Sequence, residues 1–197
     1  EFNLFANQAQ QEIFEQYFYD LNQVARIPGN EYVYADVDDI LEEKLQIFQN
    51  QALLGPVIPN YVYRIYRLEL GGFNCEILKT SDFNDAIMGG PLTKPTLTRP
   101  IANIRKNTLR VSTGIGFINK ANIFYFSQPI KVRWGYVIVN EKALYDPTHA
   151  VDFELHKSEE SELVYRILAY AGITLQKPDL TQSAIGLEST KAQQEKQ

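Results

Sequence analysis

The chain has 197 residues, 45% apolar and 22% charged, which is enough to bury a core and excludes a disordered segment. The single Cys75 excludes an internal disulfide and reads as a small buried apolar residue. No run of about 18 apolar residues exists and no basic-then-apolar stretch opens the chain, so neither a membrane span nor a signal peptide is expected.

Aromatic residues are abundant at 12%, which suits strands and interfaces. The net charge of −5 conceals a segregation. Residues 1–55 hold ten acids and two bases, residues 56–140 four acids and eleven bases, and residues 141–197 ten acids and six bases. Such a division fits nucleic acid, an acidic partner or copies of the chain docking on one another; solvated faces that happen to differ account for it as well. Because the chain begins at Glu1, the translation start is expected to lie outside it.

In chain order, Phe2, Phe5, Ala9, Ile13, Tyr17, Leu21 and Val24 recur at helical spacing, and "IPGN" at 27–30 stops that helix. A short extended piece, "EYVYA", precedes a second helix that Asp36 is expected to cap, with Asp38 and Asp39 in its first turn. The two should pair as an antiparallel hairpin. From "GPVIPN" the period becomes alternating: "YVYRIYRLEL" (61–70) reads as a strand, Gly71-Gly72 as its turn and "FNCEIL" as its partner. "SDFNDAIMGG" is a short helix, and "PLTKPTLTRP" a loop or edge arm because three prolines cannot donate a ladder of hydrogen bonds.

"IANIR", "TLRVST", "NIFYF" and "IKVRWGYVIV" read as further strands. After the alternating Val151, Phe153 and Leu155, the period turns helical at Leu163, Val164, Ile167, Leu168 and Ala171, and Gly172 is expected to end that helix. The last segment, from Pro178, carries a weak apolar set of Leu180, Ala184 and Leu187, so its order is expected to come from a neighbouring subunit or another protein. The expected fold class is therefore α+β. A helical hairpin (1–55) and a C-terminal helix (151–177) pack with a small antiparallel β-sandwich or partly open barrel (56–150), and a C-terminal extension (178–197) follows.

The cluster "DFELHKSEESELVYRILAYAGI" invites a chemical reading. His149, His156, Asp146 and Asp152 nevertheless fit no standard ligand spacing, so no metal or other cofactor is expected. Ser158 as N-cap, with Glu159 and Glu160 in the first turn, explains the same residues as a helix start. No nucleophile elbow or P-loop is present, and Gly114-Ile-Gly116 is too short for a dinucleotide loop. The sequence therefore points away from an enzyme. Arg64 and Arg67 interleaved with Tyr61, Tyr63 and Tyr66, and Lys131 and Arg133 beside Trp134, support an alternative: a β-sandwich module that binds glycan or nucleic acid.

The segments "EFNLFANQAQQEIFEQYF", "IPNYVYRI", "PLTKPTLTRP", "QPIKVRWGYV", "VDFELHKSEESELVYRILAYAGI" and "KPDLTQ" span most of the chain. Together they resemble the virion ring, or head-to-tail connector, proteins of crAss-like and related tailed phages of Bacteroidetes. The order of elements is similar to the adaptor or gatekeeper proteins of short-tailed phages.

This resemblance implies a homo-oligomeric ring, usually of twelve copies, in the virion neck or tail, assembled in the bacterial host cytoplasm. Its partners would be the portal protein and the next tail or ring protein. Genomic DNA would pass through its lumen without sequence-specific binding, and no membrane would be involved. By element, Pro178, Leu180, Ile185, Leu187 and Lys191 would grip the portal or a neighbouring subunit. Pro91, Leu92, Lys94, Pro95 and Arg99 would form an inter-subunit arm. A lumen that passes DNA should be acidic or neutral, because a basic lining would bind phosphate.

Overall fold

Helical spacing at the start of the chain produces α1 (Phe2–Val24), which buries Ala6, Ala9, Ile13, Phe14, Tyr17 and Phe18. In the computed structural model the structure describes residues 2–24, 32–175 and 178–194. The "IPGN" stop lies outside the described residues. Helix α2 (Tyr32–Gln46) packs on α1 and buries Leu41 and Leu45. It already includes Tyr32 to Ala35, so the expected extended piece is helical and Asp36 lies inside the helix instead of capping it.

The chain divides into two compact units, Glu1–Ile47 with Pro129–Gln197, and Phe48–Gln128. The expected boundaries at 55/56 and 150/151 therefore move to 47/48 and 128/129. One cause is β1 (Gln49–Leu54), a strand within the residues that the sequence gives to the helical hairpin. The other is that residues 130–134 hydrogen-bond to helix α1.

In the β unit, β1 pairs with β8 (Ala121–Ser127), β8 with β2 (Val62–Leu70), and β2 with β3 (Phe73–Asn74), all antiparallel. A second four-stranded sheet has the order β4 (Glu76–Ile77), β5 (Ile101–Arg105), β6 (Thr108–Ser112), β7 (Phe117–Ile118). "FNCEIL" thus splits between the two sheets. The β4–β5 pair is parallel, a departure from the all-antiparallel expectation. Helix α3 (Thr80–Met88) supplies the crossover that a parallel pair requires.

Leu68, Ala102, Leu109, Val111, Ala121, Ile123 and Cys75 form one core drawn from both sheets. Two-residue turns at Gly71-Gly72 and Lys106-Asn107 have positive φ at both positions, as tight hairpins of right-handed twist require.

In the helical unit only Tyr136–Val139 of "IKVRWGYVIV" is a strand, β9, which pairs with β10 (Lys142–Tyr145) across Asn140-Glu141, both at positive φ. Residues 130–134 run extended beside α1 instead. A single 3₁₀ turn (Lys157–Glu159) leads into α4 (Glu160–Thr174), which continues past the buried Gly172, the expected terminator. Helix α5 (Pro178–Gln194) packs on α4, so the tail expected to depend on another subunit finds its support within its own chain. The mixed helix and sheet content is the α+β class that the sequence predicts, and no barrel closes among the described residues.

Candidate functional site

The charge division follows the two units. Phe48–Gln128 carries nine bases against four acids, a net +5, which leaves the helical unit at −10.

The acidic cluster resolves into packing. His156 takes the N-cap position before the 3₁₀ turn, where its Nδ1 accepts a hydrogen bond from the Ser158 N–H at 3.3 Å. Ser158, the expected cap, lies inside that turn. Glu159 is buried and its carboxylate sits 2.5 Å from Lys44 Nζ, which joins the turn to α2; the same ammonium lies 5.7 Å from the Tyr17 ring. Glu160 opens α4.

One turn on, Arg166 collects carboxylates from three helices: Glu162 at 2.5 Å, Glu12 of α1 at 3.5 Å and Glu188 of α5 at 3.2 Å. The last is an ionic contact to Nε without the alignment of a hydrogen bond. Burial, and then the hydrogen bond and charge of Glu12, push the Tyr170 hydroxyl up to about 12.

His149 and Asp146 meet at 2.5 Å in the exposed loop after β10, and Thr148 donates its N–H to the same carboxylate at 3.0 Å. The hydrogen bond from the Thr148 hydroxyl, then those from His149 and the Thr148 N–H, hold the Asp146 carboxyl down at about 2. His156 lies with Glu43 instead, so the two histidines do not converge. No group of three metal-ligating side chains occurs among the described residues. Burial, with the charge of Glu69, raises the Cys75 thiol to about 11, so it is not a thiolate at neutral pH. A shallow, open depression lined by Ile77, Leu78, Lys79, Thr80, Asn103 and Ile104 brings no set of titratable groups together.

Of the expected arm, Pro91, Leu92, Lys94 and Arg99 are exposed, with Leu92 at 91%, whereas Pro95 is buried. Pro95 lies against Gly114 in the middle of the segment, and Arg99 is 3.7 Å from Glu76 near its end. Ile185 and Leu187 on α5 are exposed while Ala184 turns inward. The side chains of Pro178, Leu180 and Lys191 lie outside the described residues.

The sequence reading missed the most exposed apolar element. Every residue of β9 and β10 is exposed, including Tyr136, Val137, Ile138, Val139, Leu144 and Tyr145, so both faces of this two-stranded sheet are apolar and open. The signal was available: "YVIV" is a continuous apolar run, the pattern of a strand buried on both faces.

The β unit holds a second surface. On β2 and β8, the Tyr66 ring stands 5.0 Å from Phe126 and 6.3 Å from Phe124, and the Arg67 guanidinium lies 5.4 Å from the Phe124 ring.

No protein-family model matches the chain, and no curated protein matches it either. No helix among the described residues is long and apolar enough to cross a membrane.

Proposed function

We propose that this chain is a structural subunit of a virion ring that connects the portal of a tailed phage to its tail and extends the DNA channel. The phage assignment rests on the sequence resemblance described above. The observation that carries assembly is the charge division, +5 on the β unit and −10 on the helical unit. One copy's basic unit complements the next copy's acidic unit, the kind of contact that builds rings head to tail. Acidic helix faces would line the bore and let DNA pass.

The reaction chemistry is none: the chain acts by binding copies of itself, the portal protein and the next tail component. Mass photometry of the purified chain with and without its portal tests this reading. A ring on the portal, weakened as salt rises from ~0.05 to ~0.5 M, is the expected result. A chain that stays monomeric beside the portal at low salt would sink it.

The aromatic and arginine surface of β2 and β8 favours a second reading, a binding module for glycan or single-stranded nucleic acid. Stacking on Tyr66, Phe124 and Phe126 predicts that Tyr66→Ala weakens oligonucleotide or oligosaccharide binding about tenfold or more. Fluorescence anisotropy with a labelled single strand, and a glycan array, decide between the two ligands.

A further inference from the structure

The β9–β10 hairpin has two unused edges. Its two-residue turn makes Val139/Lys142 and Val137/Leu144 the hydrogen-bonded pairs, and the Asp146 N–H to Gly135 C=O bond, 3.0 Å, continues that parity. The backbone groups of Tyr136 and Ile138 therefore point outward along one edge, and those of Ala143 and Tyr145 along the other. Among the described residues, neither strand belongs to a larger sheet. Exposed edges are normally blocked by charge, proline or a bulge. Here β9 has no charge and β10 only Lys142, with no proline or register shift in either.

We propose that the hairpins of successive copies of this chain pair edge to edge, β10 of one copy antiparallel to β9 of the next. Ala143 then faces Ile138, and Tyr145 faces Tyr136, of the neighbouring copy. Closure into a ring rests on the reading given above; the edge contact itself does not.

Three observations select a second copy as the occupant. A two-fold pairing of β9 with β9 would satisfy one edge per copy and leave the other open, whereas head-to-tail pairing consumes both. Glu141 and Lys142, the two charges at the turn, then alternate around the tip, opposite sign beside opposite sign. The area is also informative. The six large apolar side chains, 46–69% exposed, offer roughly 600 Å², against about 800 Å² per partner in a standard interface. The two edges share that area, so a single contact is weak by itself and assembly should depend on concentration. A lipid surface fits less well, since the tip, Asn140-Glu141-Lys142, is polar.

Sedimentation velocity of the full chain tests the contact with Ile138→Pro and Ala143→Pro, each of which removes one outward N–H and leaves the hairpin's own ladder intact. The wild-type chain should assemble with rising concentration and each variant should stay monomeric. An equimolar mixture of the variants should give a dimer and nothing larger, because one live edge of each kind remains.

Far-UV circular dichroism melts establish that the variants fold. As a check independent of proline, Ile138→Cys and Ala143→Cys chains mixed and oxidised should form a disulfide dimer that neither forms alone. Proline variants that assemble like wild type overturn the edge contact and leave the ring reading standing. A wild-type chain monomeric at every concentration also overturns the contact, with the ring reading decided separately on the portal. Dimers of Ala143→Pro alone would mean two-fold pairing and overturn the head-to-tail arrangement.

Discussion

Asn7 of α1 satisfies both backbone groups of Val132: its Nδ2 donates to the Val132 carbonyl at 2.9 Å, and its Oδ1 accepts the Val132 N–H at 2.8 Å. Asn3 accepts from Trp134 N–H at 2.8 Å, and Gln10 donates to the Ile130 carbonyl at 2.8 Å. Positions 3, 7 and 10 share one helix face, so their amides form a ladder that stands in for a neighbouring strand. On the other edge Arg133 exchanges both backbone bonds with Val151, at 3.1 and 2.8 Å. The extended segment 130–134 is thus paired on both sides, and it leads directly into the hairpin.

Asn7→Leu should therefore leave two backbone groups of the buried Val132 unpaired, at about 1–3 kcal/mol each. Thermal unfolding should show Tm lowered by roughly 5–10 °C. Asn7→Asp keeps the acceptor and loses the donor, and should lie between the two. Equal Tm values for Asn7→Leu and wild type would mean that the ladder carries no stability.

The Lys44–Glu159 pair makes a different prediction. Both side chains are largely withdrawn from water, with 16% and 4% exposure. Removing the ammonium takes the cation from the buried Glu159 carboxylate, to which the Ser158 hydroxyl still donates at 3.2 Å, so Lys44→Met should destabilise by up to about 3–5 kcal/mol. Replacing both, as Lys44→Met with Glu159→Leu, should recover most of that loss. A double-mutant cycle by urea unfolding reads the difference, and additive effects would show that the two groups are not coupled.

Gly114 sits at φ +81, and a Cβ there would lie 2.2 Å from the carbonyl oxygen of Pro95. Gly114→Ala thus combines an unfavourable backbone region with a clash against backbone. The expected loss is at least about 2 kcal/mol, with limited proteolysis opening the chain near residues 91–100. Unchanged stability and proteolysis would place the 91–100 segment elsewhere.

Much of the β unit was legible, because β2, β5, β6 and β8 carry strong β-branched and aromatic runs between clear turn residues. Strand β1 was not, since "QNQALL" follows a helix with no breaker and owes its state to pairing with β8. The segment 130–134 has a strand's alternation, but its partner is a row of side chains that no strand pattern reveals. Gly172 reads as a helix end, yet it is buried inside α4.

The candidate surface was half legible. "YVIV" reads only as part of one long strand, and a single copy leaves both its faces exposed. Ser158 reads as the cap, but His156 takes that position because an extended residue with a ring nitrogen acceptor meets the same geometric need.

Asp146 links pH to the hairpin base. Its carboxylate accepts from Thr148 and pairs with His149, and its own N–H bonds the Gly135 carbonyl at the foot of β9. Those side-chain hydrogen bonds hold the carboxyl at about 2, below the ordinary 3.8. A depressed carboxyl contributes stability that is fully present above its unfolded value and lost as pH falls through the folded one. The contribution should therefore be intact at pH 5 and fade between about pH 4 and pH 2.

Asp146→Asn removes the titration while it keeps an acceptor for the Thr148 N–H. The urea midpoint of wild type should exceed that of the variant at pH 5, and the two should converge toward pH 2. A midpoint difference that stays constant across that range would mean the carboxylate does not hold the loop. Loss of hydrogen-exchange protection at β9 on the same acid limb would tie the loop to the hairpin.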